Sequence, residues 1–337
     1  MNSTRLSWLL PALVSAAGLV VLVAIFPYNA GYGFERMPML KSLREFWSGE
    51  DWEHCVLVPF IAGFLVWWKR KEFAAVPIRP ATIGGLGVLA LAMAFYIAGY
   101  KTDINYLGFA GIQLFVAGLI LWFLGWRWMV ALAFIWMFLA FMWPLIFLQD
   151  TLAFRLRVIM SAASTDVLNF IGLHAMQRGT AVLSAPDLLM GLPAGARFSV
   201  DVADPCSGIR SLFALMMVSA LYGYLTLNSW WKHSLFFLCS IPLAVAGNLV
   251  RIIMLTVGVL AVGPEKALGT EADPSFFHML AGYVVFAVAI VGMLAVNWIL
   301  LNGHRVVGMA KTFASQSRKP ASISSEPKST KPFQDVY

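Results

Sequence analysis

The chain has 337 residues, of which 60% are hydrophobic and only 12% charged, with a formal net charge of +7. Soluble domains run at about 45–50% apolar and about 25% charged residues, so water is excluded as the solvent for most of this surface and an all-α polytopic membrane protein is the expected class. The positive charge does not point to nucleic acid, because the basic residues fall in short clusters between apolar spans, where membrane topology uses them.

A helix needs about 20 mainly apolar residues to cross a ~30 Å hydrocarbon core. Eight stretches are candidates in chain order: 8–26, 54–68, 81–99, 104–124, 128–148, 208–228, 234–262 and 277–301, the second short by itself but able to extend backward through Trp52. Helices satisfy their backbone groups within the segment, which open strands cannot do in lipid. A signal peptide is the alternative reading of residues 5–27, where Arg5 precedes the apolar run. That run is longer than a signal h-region and has no A-x-A site, so a retained first span is expected.

Lys69, Arg70, Lys71 and Arg79 follow the second span, Arg127 precedes the fifth, and Lys232 precedes the seventh. Arg305, Lys311, Arg318 and Lys319 follow the eighth. With eight spans these residues share a side with the N-terminus, and the positive-inside rule makes it cytoplasmic, so both termini are expected there. The opposite loops carry Glu50, Asp51, Glu53, Glu271 and Asp273. Residues 1–302 are expected to form one integral membrane domain, and 303–337 a basic, disordered cytoplasmic tail.

Two segments on the outer side are long. Residues 27–53 are interrupted by Pro27, Gly31, Gly33 and Pro38. Residues 149–207 open on an amphipathic helix over about 151–172, then show turn residues at Gly179, Pro186, Gly191, Pro193 and Gly195. Alternation over 197–202 predicts a short extended segment leading into Asp204-Pro205-Cys206.

Three side chains that carry chemistry fall at one depth. Cys206 precedes the sixth span at the outer surface, followed by Ser207 and Gly208. A helix N-terminus there favours a thiolate and a developing oxyanion. Arg251 lies 17 residues beyond Ser234 in the seventh span, or ~25 Å along a helix, with Asn248 three residues earlier on the same face. His278 opens the eighth span from the outside. Each has a plainer alternative: a packed thiol, a guanidinium snorkelling to the headgroups, an interfacial imidazole.

Other constellations are missing. Cys55, Cys206 and Cys239 make no disulfide framework or zinc spacing, and Cys239 reads as a packing residue. The neighbours of His54, His174 and His278 lack metal-ligand spacing, so no metal is expected. There is no HExxH, no GxSG, no P-loop and no dinucleotide fingerprint, and no organic cofactor is expected.

At these residues the sequence resembles the exosortase/archaeosortase family of membrane cysteine transpeptidase-like enzymes. The matching pieces are Cys206-Ser207-Gly208-Ile209, Asn248-Leu249-Val250-Arg251-Ile252 and His278-Met279-Leu280-Ala281-Gly282, in that order. Glu53-His54-Cys55-Val56-Leu57-Val58-Pro59 is similar to the family's Ser-His-Gly followed by an apolar helix with proline. Pro205, Glu53, Cys55 and a longer segment over 179–204 depart from the pattern.

The resemblance implies an inner-membrane cysteine protease/transpeptidase with its active site on the outer face. Its partners would be exported proteins ending in a short motif such as Pro-Glu-Pro, a transmembrane helix and a basic cluster. It implies a link to extracellular polysaccharide or surface assembly. Cys206 would be the nucleophile, His278 the proton-transfer group and Arg251 the oxyanion stabiliser. Asn248 would support Arg251, and His54 is a further candidate on the same side. The rival is a transporter or polysaccharide-export component whose path Arg251 and Asn248 would line. Gln113 is nearly the only polar residue in spans three to five, which counts against such a path.

Overall fold

The computed structural model describes residues 3–30, 35–49, 52–144, 146–201, 209–270 and 275–317. The first apolar stretch is α1 (Ser3–Val20), continued by a wide π-type turn, Val21–Ile25. Strands β1 (Pro27–Ala30) and β2 (Arg36–Pro38) then pair antiparallel, and α2 (Met39–Trp47) follows. A 3-10 turn, Glu53–Val56, runs into α3 (Leu57–Trp68), and the short α4 (Arg70–Ala74) carries the basic cluster.

Helices α5 (Thr82–Thr102) and α6 (Asn105–Phe123) form a close antiparallel hairpin. Small residues at the contact let the backbones meet, as in membrane helix packing generally. A methyl group on Gly111 would stand 2.9 Å from backbone atoms of α5. The Tyr28 ring fits against Gly99 and Gly108 of this hairpin, and its hydroxyl donates to the Tyr96 carbonyl at 2.8 Å.

The expected fifth span is divided into α7 (Trp126–Ala131), α8 (Ala133–Phe138) and a 3-10 turn, Leu139–Met142. It ends because Pro144 forces the residue before it out of the helical region, and Trp143 is extended at φ −88, ψ 129. Gln113 is a buttress for this broken segment. Its amide donates to the Trp136 carbonyl and accepts from Trp143 Nε1, while Trp136 Nε1 donates to the Gln113 backbone. Its side-chain polar atoms are thereby spent on holding α6 to the broken segment.

The segment expected to be an amphipathic helix lies in α9 (Ile146–Phe170), followed by a sheet of β3 (Ala175–Arg178), β4 (Ala181–Ser184) and β5 (Ser199–Asp201) in the order β3-β4-β5, antiparallel throughout. The extended segment expected at 197–202 is thus the third strand of a sheet. Gly179, at φ +64, makes the two-residue turn between the first two. Helices α10 (Ile209–Thr226), α11 (Trp230–Val262), α12 (Pro264–Leu268) and α13 (Phe276–Ser317) complete the described residues. α13 stays helical past residue 303, into the stretch expected to be a disordered tail.

Among the described residues, four helices are long and apolar enough to cross a membrane: α5, α6, α11 and the 276–303 part of α13. The remaining expected spans correspond to shorter apolar helices at Leu10–Ile25, Glu53–Trp68, Ala133–Met142 and Ser211–Thr226. Large apolar side chains such as Phe60, at 71% exposure, and Ile83, at 91%, face outward, as lipid as a solvent allows.

Candidate active site

Two antiparallel helices build the site. Along α11 and α13, small residues take the large side chains of the partner: Gly247 faces Val285, Gly258 faces the Phe277 ring, and Gly292 faces Leu243. The contacts descend one helix as they climb the other. Glycine is required at 258, where a Cβ would stand 2.4 Å from Phe277 Cε1. This close approach brings Arg251 and His278 into register, with Arg251 Nη2 at 2.8 Å from His278 Nε2.

That distance fixes a protonation state. A guanidinium carries donors only, so Nε2 must be the acceptor and the ring is a neutral imidazole with its proton on Nδ1. Nδ1 is buried and has no hydrogen-bond partner among the described residues. Asn248, 2% exposed, stands one turn before Arg251 on the same face of α11.

The start of α13 is tied down by a residue that the expectations above omit. Ser275 Oγ accepts from the His278 backbone N–H at 3.1 Å and donates to the Ala267 carbonyl at 2.7 Å. This is an N-cap bond, which satisfies an otherwise orphan N–H and sets where the helix begins. A serine directly before the apolar run Phe276-Phe277-His278 was the available signal. The sheet covers the same end of α11: Val182, Phe198 and Val200 share a buried cluster with Ile252, Leu255 and Val259.

Cys206, Ser207 and Gly208 lie outside the described residues. The elements on either side of them both pack on α11: Val200 of β5 through the cluster just named, and α10 through Leu212 and Leu215 with Phe236 and Ala244. His54 is not joined to the Arg251–His278 pair by any contact among the described residues. Its ring stacks on Trp52 at 6.2 Å, and Trp52 packs against Phe213 of α10 at 5.2 Å.

These features define an α-helical membrane protein with a guanidinium–imidazole pair between its two longest helices. The chain belongs to the transmembrane exosortase family (Exosortase_EpsH), which it matches over residues 46–295. That is a family of membrane peptidases and transpeptidases that sort proteins, and the match supports that general role here. The matched stretch includes His54, Cys206, Asn248, Arg251 and His278. Comparison with curated proteins and with solved structures gives no match.

Proposed function

We propose that this protein is a cysteine protease/transpeptidase of the inner membrane that cleaves C-terminal sorting signals of exported proteins. The observation that carries the reading is the 2.8 Å pairing of Arg251 with a neutral His278. A chain-order argument adds to it. Ile209 lies 17 residues before the α10–α11 loop and Gly247 lies 17 residues after it, so the start of α10 is level with Gly247. Cys206 is three residues along the chain from Ile209, and Arg251 is one turn beyond Gly247.

The chemistry follows from what each group can do. A substrate carbonyl entering the site draws an Arg251 N–H toward its oxygen, which releases His278 Nε2. That nitrogen takes the proton of the Cys206 thiol, and the thiolate forms a bond to the carbonyl carbon. Arg251 and the N–H groups opening α10 stabilise the oxyanion. Collapse breaks the C–N bond, His278 gives its proton to the leaving amine, and a thioester to Cys206 remains. Water or an acceptor amine then attacks that thioester and frees the sulfur. Asn248 supports Arg251. No metal or organic cofactor enters these steps.

Topology is part of the proposal. Eight crossings with both termini cytoplasmic put the cluster at Lys69 to Lys71 and Lys232 inside and Arg251 with His278 at the outer face. The substrates are exported proteins carrying a short motif, a transmembrane helix and a basic cluster.

The test is processing of such a tailed reporter in cells carrying the wild-type chain or Cys206→Ala at equal levels. Loss of the C-terminal tag with wild type alone is the expected result. Equal loss with both would remove Cys206 as the nucleophile.

A further inference from the structure

A cavity of about 610 Å3 lies between α8 with its following turn, α10 and the first turns of α11. Arg251 and His278 do not line it, whereas His54 does, beside Trp52. Trp52 and Phe213 stand at one end, and Tyr224 and His233 at the other. The wall between them is apolar, with Phe134 stacked flat on Tyr224 at 3.7 Å. Met137 at 39% exposure and Leu238 at 55% lie on its open side, which therefore faces lipid.

Its dimensions select among occupants. Phe213 and Tyr224 are 11 residues apart on α10, which is ~16 Å at a rise of about 1.5 Å per residue. That is the depth of one leaflet, half of the ~30 Å hydrocarbon core. The volume holds about twenty groups of the size of a water, at ~30 Å3 each, and a methylene is of that size. One acyl chain fits both length and volume. A membrane-spanning helix of about 20 residues exceeds both. Water gains too few partners from such walls to compete.

The Tyr224 end is also the basic end of the bundle. Lys69 Nζ stands 4.8 Å over the Tyr224 ring, and Lys232 adjoins His233. Trp230 and Trp231, 61% and 71% exposed, flank it as rings do at the headgroup level. Glu72, paired with Lys69 at 3.3 Å, is one acid against this cluster. An anionic headgroup complements that end, and a zwitterionic one does so less.

We propose that this cavity binds one acyl chain of an anionic glycerophospholipid whose phosphate lies at Lys69 and Lys232. The chain fills the space between α8 and α10 and so fixes α10, the helix that Cys206 precedes. The site goes beyond the sorting reaction and is read without any cleavage assay.

The probe is phosphatidylglycerol with a photoactivatable acyl chain, and the matching phosphatidylcholine, each in phosphatidylcholine vesicles containing the full chain. Crosslinks are mapped by mass spectrometry. Phosphatidylglycerol is expected to label Phe134 and Met216 several-fold more than the outward-facing Phe60 and Phe64. Ala220→Phe, and separately Ala133→Phe, should remove the cavity labels and keep those on Phe60 and Phe64. Lys69→Gln together with Lys232→Gln should bring phosphatidylglycerol down to the phosphatidylcholine level, and either change alone should do so in part. Equal labelling of cavity and outer surface, or equal labelling by the two lipids, overturns the proposal. Displacement of the label by a membrane-spanning peptide with a basic end would assign the cavity to a partner helix, and would overturn it too.

Discussion

Arg251 Nη2 donates to His278 Nε2 across 2.8 Å, so the imidazole between α11 and α13 is neutral and its acceptor nitrogen is held by a cation. The pair can be separated by substitution. Arg251→Ala is expected to slow processing by about 10²–10³-fold, the usual loss of an oxyanion donor. Arg251→Lys should recover only part, since an ammonium keeps the charge but not the planar fork. The check is the rate at which a tailed reporter is cleaved; equal rates for wild type and Arg251→Ala would remove the guanidinium from the reaction.

His278→Gln tests the other half. A glutamine oxygen can still accept from Arg251 but cannot carry a proton between thiol and amine. The variant should fold at wild-type levels and lose about 10²–10⁴-fold in cleavage, the range of general acid–base catalysis. Cleavage at the wild-type rate would leave His278 as a structural partner of Arg251.

Ser275→Ala removes the bond to the His278 N–H and should lower stability by about 1 kcal/mol. Ser275→Asp restores an N-cap acceptor and should recover most of it. Thermal unfolding in detergent reads the loss. No difference between Ser275→Ala and wild type would mean that α12 and the Gly258 contact hold the helix start without the cap.

Gly258→Leu drives a side chain into the space of the Phe277 ring, which neighbours His278. Overpacking costs about 1–3 kcal/mol, and here it should also part the two helices at the site. Cleavage is expected to fall further than stability does. Gly18→Ala, where nothing lies within 4 Å of an added Cβ, is the control.

Burial pushes the Tyr28 hydroxyl from 10.0 up to about 12, against the pull of nearby Arg36. The folded state thus holds a proton that the unfolded chain gives up. Its stabilising effect is complete below pH 10.0 and is lost as pH rises toward 12. Midpoints of thermal unfolding measured across that window should fall more steeply for wild type than for Tyr28→Phe. Parallel slopes would count against a buried, neutral Tyr28.

Much of this molecule is legible in order and composition. Apolar runs specify helices wherever lipid is the solvent, because no other local structure satisfies the backbone there. That is why α5, α6, α11 and α13 lie where the stretches 81–99, 104–124, 234–262 and 277–301 predict them. The depth of Arg251 and His278 followed from a constant helical rise. The sheet of β3, β4 and β5 was legible only at its last strand, since β3 and β4 gain their partners from each other and their cover from α11. Periodicity also joined 128–148 into one span, because Pro144 acts on the residue before it and not on the apolar pattern. Lateral placement needed the tertiary structure. Sequence spacing measures distance along a helix, not between helices, and it is the fit of Phe277 on Gly258 and Val285 on Gly247 that turns a shared depth into a hydrogen bond.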